Sequence, residues 1–157
     1  MNIEWRNGFE PASDIDMDEI ERRFEIKFSD EHRLFLKTIT NGGRQTASAP
    51  IPTTGYDGEA AVLHGVYGIN HPAAYYDMAG ALELYEKFLP NLIPFGYDAC
   101  NCQLYIDMVE IPGRIVYVPR DELDFDQASP PIYHVARSIS EFLLLSAKMA
   151  DEFIDED

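Results

Sequence analysis

Three short apolar segments follow one another in the second half of the chain, and they limit the possible folds more than any other feature. They are Leu92-Ile93-Pro94-Phe95, Leu104 to Met108 and Arg114 to Pro119, separated by Gly96 and by Pro112-Gly113. Short segments rich in apolar and β-branched residues favour strands, and the glycine and proline between them favour turns. The pattern predicts a meandering sheet.

Two helices are predicted before these strands. From Asp14 to Phe24 apolar residues recur at helical spacing among acids, and Ser13 or Asp14 can serve as the N-cap. A second helix starts at Ser29, another N-cap residue, and its predicted C-cap is the left-handed stretch Asn41-Gly42-Gly43. The two helices are expected to form a hairpin.

The middle of the chain alternates between breakers and short regular segments. Arg44 to Glu59 contains several prolines and glycines and is predicted to be extended or looped. Ala61 to Tyr67 is predicted to be a strand. Ala79 to Phe88 has helical spacing and is predicted to be a third helix, which Pro90 closes.

The last part of the chain begins with an acidic block. Asp121 to Pro131 is predicted to be an exposed loop, and Ile132 to Ala136 one more strand. Ser138-Ile139-Ser140-Glu141 has the pattern of a capping box that opens a final helix. The acidic tail 151–157 opposes the dipole of that helix and is expected to fray. Helices, then strands, then a helix predict a single α+β domain over all 157 residues.

The charge is strongly negative. The chain has 28 aspartates and glutamates against 12 lysines and arginines, which gives a formal net charge of −16. Binding to DNA or RNA depends largely on lysine and arginine, so we do not expect direct binding to nucleic acid. The same field would attract a basic protein partner, although solubility alone explains the charge equally well.

The cysteine content predicts a cytoplasmic protein. Cys100 and Cys102 are too few and too close together for the disulfide framework of a secreted domain. The first residues lack the layout of a signal peptide, and no apolar run approaches the roughly 18 residues that span a membrane. We therefore expect neither export nor membrane insertion.

Residues that could carry chemistry do not form a recognisable site. Cys100 and Cys102 could share a metal, but zinc asks for four ligands and the sequence offers no second pair at a defined spacing. The four histidines are scattered, and Gly42-Gly43 lacks the lysine of a phosphate-binding loop. We predict no catalytic residue, no cofactor and no metal, and we interpret the cysteines as small buried hydrophobic residues. A thiol enzyme that uses Cys100 is the alternative, which a low thiol pKa near a histidine would favour.

Three acidic clusters remain, namely Glu10 to Glu21, Asp121 to Asp126 and the C-terminal tail. The second lacks the glycine and the distal glutamate of a calcium-binding loop. Each cluster is interpreted first as a solvated face and second as a partner-recognition surface.

The order of these landmarks resembles the SUKH superfamily, over roughly residues 15–145. The segments that carry the resemblance are Ile20 to Leu36, Asn41-Gly42-Gly43, Leu89-Pro90-Asn91-Leu92-Ile93-Pro94-Phe95-Gly96-Tyr97-Asp98, Asp107, Gly113 to Tyr117 and Ile132 to Leu143. The superfamily includes fungal cell-wall-synthesis regulators and many bacterial immunity proteins. The resemblance implies a mixed, mostly antiparallel sheet packed against about four helices.

The resemblance also implies a non-enzymatic function in protein binding. The leading hypothesis is an immunity protein that neutralises a cognate toxin by stoichiometric binding, with a basic, nuclease-type toxin domain as the expected partner. The alternative is a regulatory or scaffold domain that recruits signalling or cell-wall-synthesis proteins. Aromatic anchors beside acids are the predicted partner-binding residues, since large buried side chains concentrate binding energy. They are Tyr97, Asp98, Asp121, Glu122, Asp124, Phe125 and Asp126. Monomer and homodimer both stay open.

Overall fold

An antiparallel sheet of five strands organises the structure, a computed structural model that describes residues 4–46, 62–85, 91–119 and 132–155. In chain order the elements are β1 (Trp5–Arg6), α1 (Asp14–Phe24), α2 (Asp30–Thr38), β2 (Arg44–Gln45), β3 (Leu63–Val66), a 3₁₀ turn (Ala74–Tyr76), α3 (Met78–Tyr85), β4 (Leu92–Asp98), β5 (Gln103–Asp107), β6 (Ile115–Val118), β7 (Tyr133–Ala136) and α4 (Ile139–Asp155). The five-stranded sheet has the order β3-β4-β5-β6-β7, and all its neighbours are antiparallel. The predicted α+β fold with a meandering sheet and four helices is confirmed.

Both faces of the sheet are buried along β5 and β6. Strand side chains alternate between faces, so Leu104 and Ile106 join the main core while Tyr105 between them belongs to a smaller second core. Val116 and Val118 share that second core. This two-sided burial explains why these strands read as almost continuously apolar runs.

The prediction that Gly96 ends a strand is wrong. Strand β4 continues through it to Asp98, and the register shifts between Pro94 and Gly96. A Cβ at this glycine would lie 2.5 Å from the carbonyl oxygen of Gly65. The residue therefore allows a bulge in which two backbones approach closely, which is a common role of glycine inside a strand.

Serine side chains begin the first two helices, as predicted. Ser13 Oγ accepts the N–H of Asp16 at 3.1 Å, and Ser29 Oγ accepts the N–H of His32 at 3.0 Å. Each such cap is worth about 1 kcal/mol, because it satisfies a helix donor that has no partner within the helix. The buried faces of the two helices then point into the main core.

The predicted C-cap of the second helix is wrong. Helix α2 ends earlier, with Ile39 as its cap in a right-handed conformation. Gly42 and Gly43 do have left-handed backbones, with φ of +81° and +101°, but they lie in the connection to β2. A Cβ on Gly43 would collide with the carbonyl of Arg6, so this glycine allows β1 and β2 to pair as a two-stranded ribbon, which the sequence patterns did not predict.

Helix α4 begins with half of the predicted capping box. Ser138 Oγ accepts the N–H of Glu141 at 3.0 Å, but Glu141 bonds back to the N–H and guanidinium of Arg137. The N–H of Ile139 donates to the carboxylate of Glu31, which joins α2 to the last helix of the fold. The helix continues to Asp155, so the fraying expected of the acidic tail is not seen up to that residue.

Boundaries elsewhere differ from the predictions by a few residues. Helix α3 starts at Met78, and the predicted continuation over 86–88 lies outside the described residues. Strand β3 starts at Leu63, two residues after the predicted start.

Candidate partner-binding surface

The turn between β4 and β5 is built around the carboxylate of Asp98. Its Oδ1 accepts the N–H of Cys100 and that of Cys102, each at 2.9 Å. Its Oδ2 accepts the hydroxyl of Tyr117 at 2.9 Å. The side chain of Asp98 is buried, so these bonds replace the water that a carboxylate would otherwise hold. The turn is thereby fixed, with Asn101 at its tip in a left-handed conformation.

A group of aromatic side chains packs around Tyr97, the residue before Asp98. Tyr97 is 8% exposed, and its ring centroid lies 5.3 Å from that of Tyr67 and 5.8 Å from that of His64. Burial raises the pKa of Tyr97 to about 12, and the nearby Tyr76 and Tyr75 contribute to the rise. The hydroxyl of Tyr67 donates to Gln103 Oε1 at 2.7 Å. The exposed members of the group are His64 and Tyr75.

Several chain segments meet at this end of the sheet. Leu63 at the start of β3 pairs with Asp98, and Gln103 at the start of β5 pairs with Val118 at the end of β6. Tyr133 at the start of β7 is in register with Tyr117. The chain therefore leaves β6 and enters β7 beside the β4–β5 turn. We call this region, with the exposed residues 99–101 of the turn, the turn end of the sheet.

Two of the seven predicted partner-binding residues lie in the described part of the chain, next to the turn end. Tyr97 and Asp98 are both buried there, and Asp98 holds the turn in place. Asp121, Glu122, Asp124, Phe125 and Asp126 lie outside the described residues, in the connection between β6 and β7. Direct contact of any of the seven with a partner stays a prediction.

The interpretation of both cysteines as buried is half right. Cys102 is buried beside the hydroxyl of Tyr117, whereas Cys100 is exposed in the turn. Burial, together with hydrogen bonding to Cys102 and Asp98, raises the pKa of Tyr117. Across residues 4–46, 62–85, 91–119 and 132–155 no three histidine, cysteine, aspartate or glutamate side chains are grouped to hold a metal.

The opposite end of the sheet has a second buried aspartate. Asp107 accepts the N–H groups of Val109, Glu110 and Ile111 and the Nε of Arg114, the last at 3.0 Å. Burial alone would raise the pKa of Asp107, but the three N–H groups and the guanidinium hold it below its usual value. This aspartate fixes the backbone of the β5–β6 loop. One of the residues that carry the family resemblance therefore has a structural role.

Asn41 is a third structural landmark. Its side-chain oxygen accepts the N–H of Ile69 at 2.6 Å, and its amide nitrogen donates to the carbonyls of Glu10 and Ile69. It thus joins three chain segments in the core. A Cβ on Gly68 would lie 2.5 Å from the Asn41 carbonyl carbon, so that glycine allows the close approach.

An ion cluster between α1 and α2 was not predicted. The guanidinium of Arg33 contacts Asp14 at 3.2 Å, Asp18 at 2.6 Å and Glu21 at 2.6 Å, and we call these four residues the Arg33 cluster. Lys37 binds Asp14 as well, at 2.8 Å. Part of the acidic segment from Glu10 to Glu21 therefore faces its own chain. The sequence pattern could have indicated this acidic face, because Asp14, Asp18 and Glu21 have the i, i+4, i+7 spacing of one helix face.

Among the described residues, no helix is both long and apolar enough to cross a bilayer.

Comparison with known proteins assigns most of the chain to one family. A search of curated proteins finds no match. Residues 11–145 match the SMI1 / KNR4 family (SUKH-1), a range that contains Asn41, Asp98 and Asp107. The chain therefore belongs to the SMI1 / KNR4 family.

Proposed function

We propose that this protein is a non-enzymatic, cytoplasmic immunity protein that neutralises a basic toxin domain by binding it one to one. The observation that carries the proposal is the net charge of −16 in a member of this family. An inhibitor with this charge attracts a basic cleft from a distance and raises the association rate. Its carboxylates would occupy positions that phosphates take in a nuclease cleft.

The arrangement of the ion pairs supports this reading. Several basic side chains in the described part of the chain are bound to carboxylates of the same molecule, so they do not present unpaired positive charge to a basic partner. They are Arg23 with Glu83, Arg33 with its three acids, Lys37 with Asp14, Arg114 with Asp107 and Glu110, and Arg137 with Glu141.

We place the main contact at the turn end. The acidic block Asp121 to Asp126 connects two strands that end there, and it contains Phe125 as an aromatic anchor. The turn is fixed by Asp98, so it would present residues 99–101 to the partner without further loss of conformational entropy on binding. Tyr97 would act by supporting the turn.

The test is titration calorimetry with the purified toxic C-terminal domain of whatever polymorphic toxin is encoded beside this gene, at low and at high salt. Tight binding at one to one that weakens with salt is expected. Alanine at Asp124, Phe125 and Asp126 together should weaken it at least tenfold. The matched control for lost charge is Glu19→Gln with Glu25→Gln, two exposed acids in and directly after α1.

Two results would count against parts of this proposal. Unchanged affinity of the triple alanine variant would exclude the acidic block as the contact. No binding at either salt concentration would favour a regulatory or scaffold domain, which the fungal relatives suggest.

Light scattering on the free protein and the complex would separate monomer from homodimer.

A further inference from the structure

A pocket of about 330 Å³ lies at the carboxyl end of α2, on the side where β1 meets the first helices. Its walls include Trp5, Phe9, Lys37, Thr38 and Ile39. This volume lies within the range of roughly 300 to 1,000 Å³ that small-ligand sites have. The pocket lies apart from the turn end, and nothing described above uses it.

The carboxyl end of α2 forms part of the pocket wall. The carbonyl of Phe35 accepts the N–H groups of Ile39 and Thr40, at 2.9 and 3.1 Å. Among the described residues, no backbone N–H bonds to the carbonyls of Lys37, Thr38 or Ile39. Such carbonyls carry the negative end of the helix dipole, which favours a cation there.

Aromatic rings add a second attraction for a cation. Trp5 is half-buried and packs edge-on against Phe35, with ring centroids 5.7 Å apart, while Phe9 is 44% exposed. The faces of tryptophan and phenylalanine attract guanidinium and ammonium groups. An arginine side chain combines a flat guanidinium that stacks on a ring with five N–H donors for carbonyls.

The basic residues near the pocket do not oppose the binding of a cation. Lys37 contributes to the wall, but its Nζ lies 2.8 Å from Asp14 Oδ2, so its charge is balanced. Arg6 neighbours Trp5 in β1, and strand alternation points its side chain to the other face of the ribbon. Glu10, next to Phe9, is exposed and adds negative charge.

We propose that this pocket binds the guanidinium group of an arginine side chain of the protein partner. The inference rests on the proposed function for the identity of the partner as a basic protein. It adds a second anchoring point, distant in sequence from the acidic block.

The direct test uses N-acetyl-arginine amide, with N-acetyl-citrulline amide as a neutral control of the same shape. Trp5 is the single tryptophan of the chain, so its fluorescence reports on this pocket, and amide chemical shifts of Thr38, Ile39 and Thr40 provide a second readout. We expect saturable changes with the arginine compound and at least tenfold weaker ones with citrulline. Equal responses, or none, would overturn the proposal.

Two pairs of variants assign the binding to this pocket. Ile39→Lys places a positive charge in the wall and should abolish the arginine response. Leu144→Lys makes the same change at an exposed position on α4 and should leave it intact. Phe9→Leu should weaken binding several-fold while Phe9→Tyr retains it, because only the latter keeps the ring. An unaffected Ile39→Lys variant that is folded by circular dichroism would exclude the pocket.

The toxin domain separates failure of the pocket from failure of the proposed function. Toxin binding that is equal for wild type and Ile39→Lys would overturn the pocket's role in the interface and leave the proposed function standing. A response to the arginine compound without toxin binding would reject the proposed function and support the pocket as a site for an arginine of another partner.

Discussion

The hydroxyl of Tyr117 in β6 donates a hydrogen bond to Oδ2 of Asp98 in β4, across the intervening strand β5. The same carboxylate holds the backbone of the β4–β5 turn. A side chain of the sheet interior and the shape of an exposed turn are therefore linked through one buried carboxylate.

Removing that hydroxyl is expected to destabilise the protein. Tyr117→Phe takes one donor from a buried carboxylate and should lower the free energy of unfolding by about 1 to 3 kcal/mol. Asp98→Ala should cost more, because two backbone N–H groups lose their acceptor as well. Urea unfolding measures both. The control is Tyr75→Phe, an exposed tyrosine whose change should be within about 0.5 kcal/mol of zero.

His32 is expected to make stability depend on pH. It is fully buried against Phe28 and Phe95, and neither ring nitrogen has a hydrogen-bond partner among the described residues. Burial lowers its pKa from 6.5 to about 3. Between these two values the unfolded chain binds a proton that the folded protein does not, so stability is full above pH 6.5 and falls as the pH drops towards 3, by at most about 1.4 kcal/mol per pH unit.

The variant His32→Leu isolates this contribution. Its unfolding free energy should be close to that of wild type at pH 7 and exceed it progressively below pH 6, since leucine gains no proton. The control is Leu34→Ala, which changes an exposed side chain of the same helix that does not titrate, so its difference from wild type should not depend on pH. Parallel curves for wild type and His32→Leu from pH 7 to pH 4 would show that His32 does not titrate as stated.

Asp107 is also expected to make stability depend on pH, in a more acidic range than His32. Asp107→Ala leaves three backbone N–H groups without their acceptor and should cost about 3 kcal/mol. Since the folded pKa of Asp107 lies below the unfolded value of 3.8, its contribution is present above pH 3.8 and is lost as the pH falls through the folded pKa. The control Glu110→Ala removes an exposed partner of Arg114 and should cost less than about 1 kcal/mol. Unfolding curves at pH 7 and pH 3 give both quantities, and equal losses for the two variants would contradict this role.

Local signals predicted the helices well because their information lies within a few residues. The N-caps Ser13 and Ser29 and the apolar spacing of α1 each depend on neighbours one or two turns away. The class of fold followed from the order of such segments. The match to residues 11–145 agrees with the family that the landmarks suggested.

Burial at the candidate surface could not be predicted in the same way. Tyr97 and Asp98 resemble an exposed aromatic-acidic pair in the sequence, but contacts with Tyr67 and Tyr117, far along the chain, bury them. Cys100 and Cys102 have the same residue type and differ in exposure because one lies in the turn and the other starts the return to β5. Such outcomes depend on strand register, which short-range patterns do not contain.

The Arg33 cluster gives the last prediction. Arg33→Leu removes the guanidinium that three carboxylates share, so Asp14, Asp18 and Glu21 are left to repel one another on α1. The free energy of unfolding should fall by about 1 kcal/mol at low salt. Added salt screens the repulsion and should reduce the difference from wild type. The control Arg22→Leu breaks only a 4.0 Å contact between exposed side chains and should change little. A salt-independent loss for Arg33→Leu would mean that packing of the arginine stem, rather than its charge, joins α1 to α2.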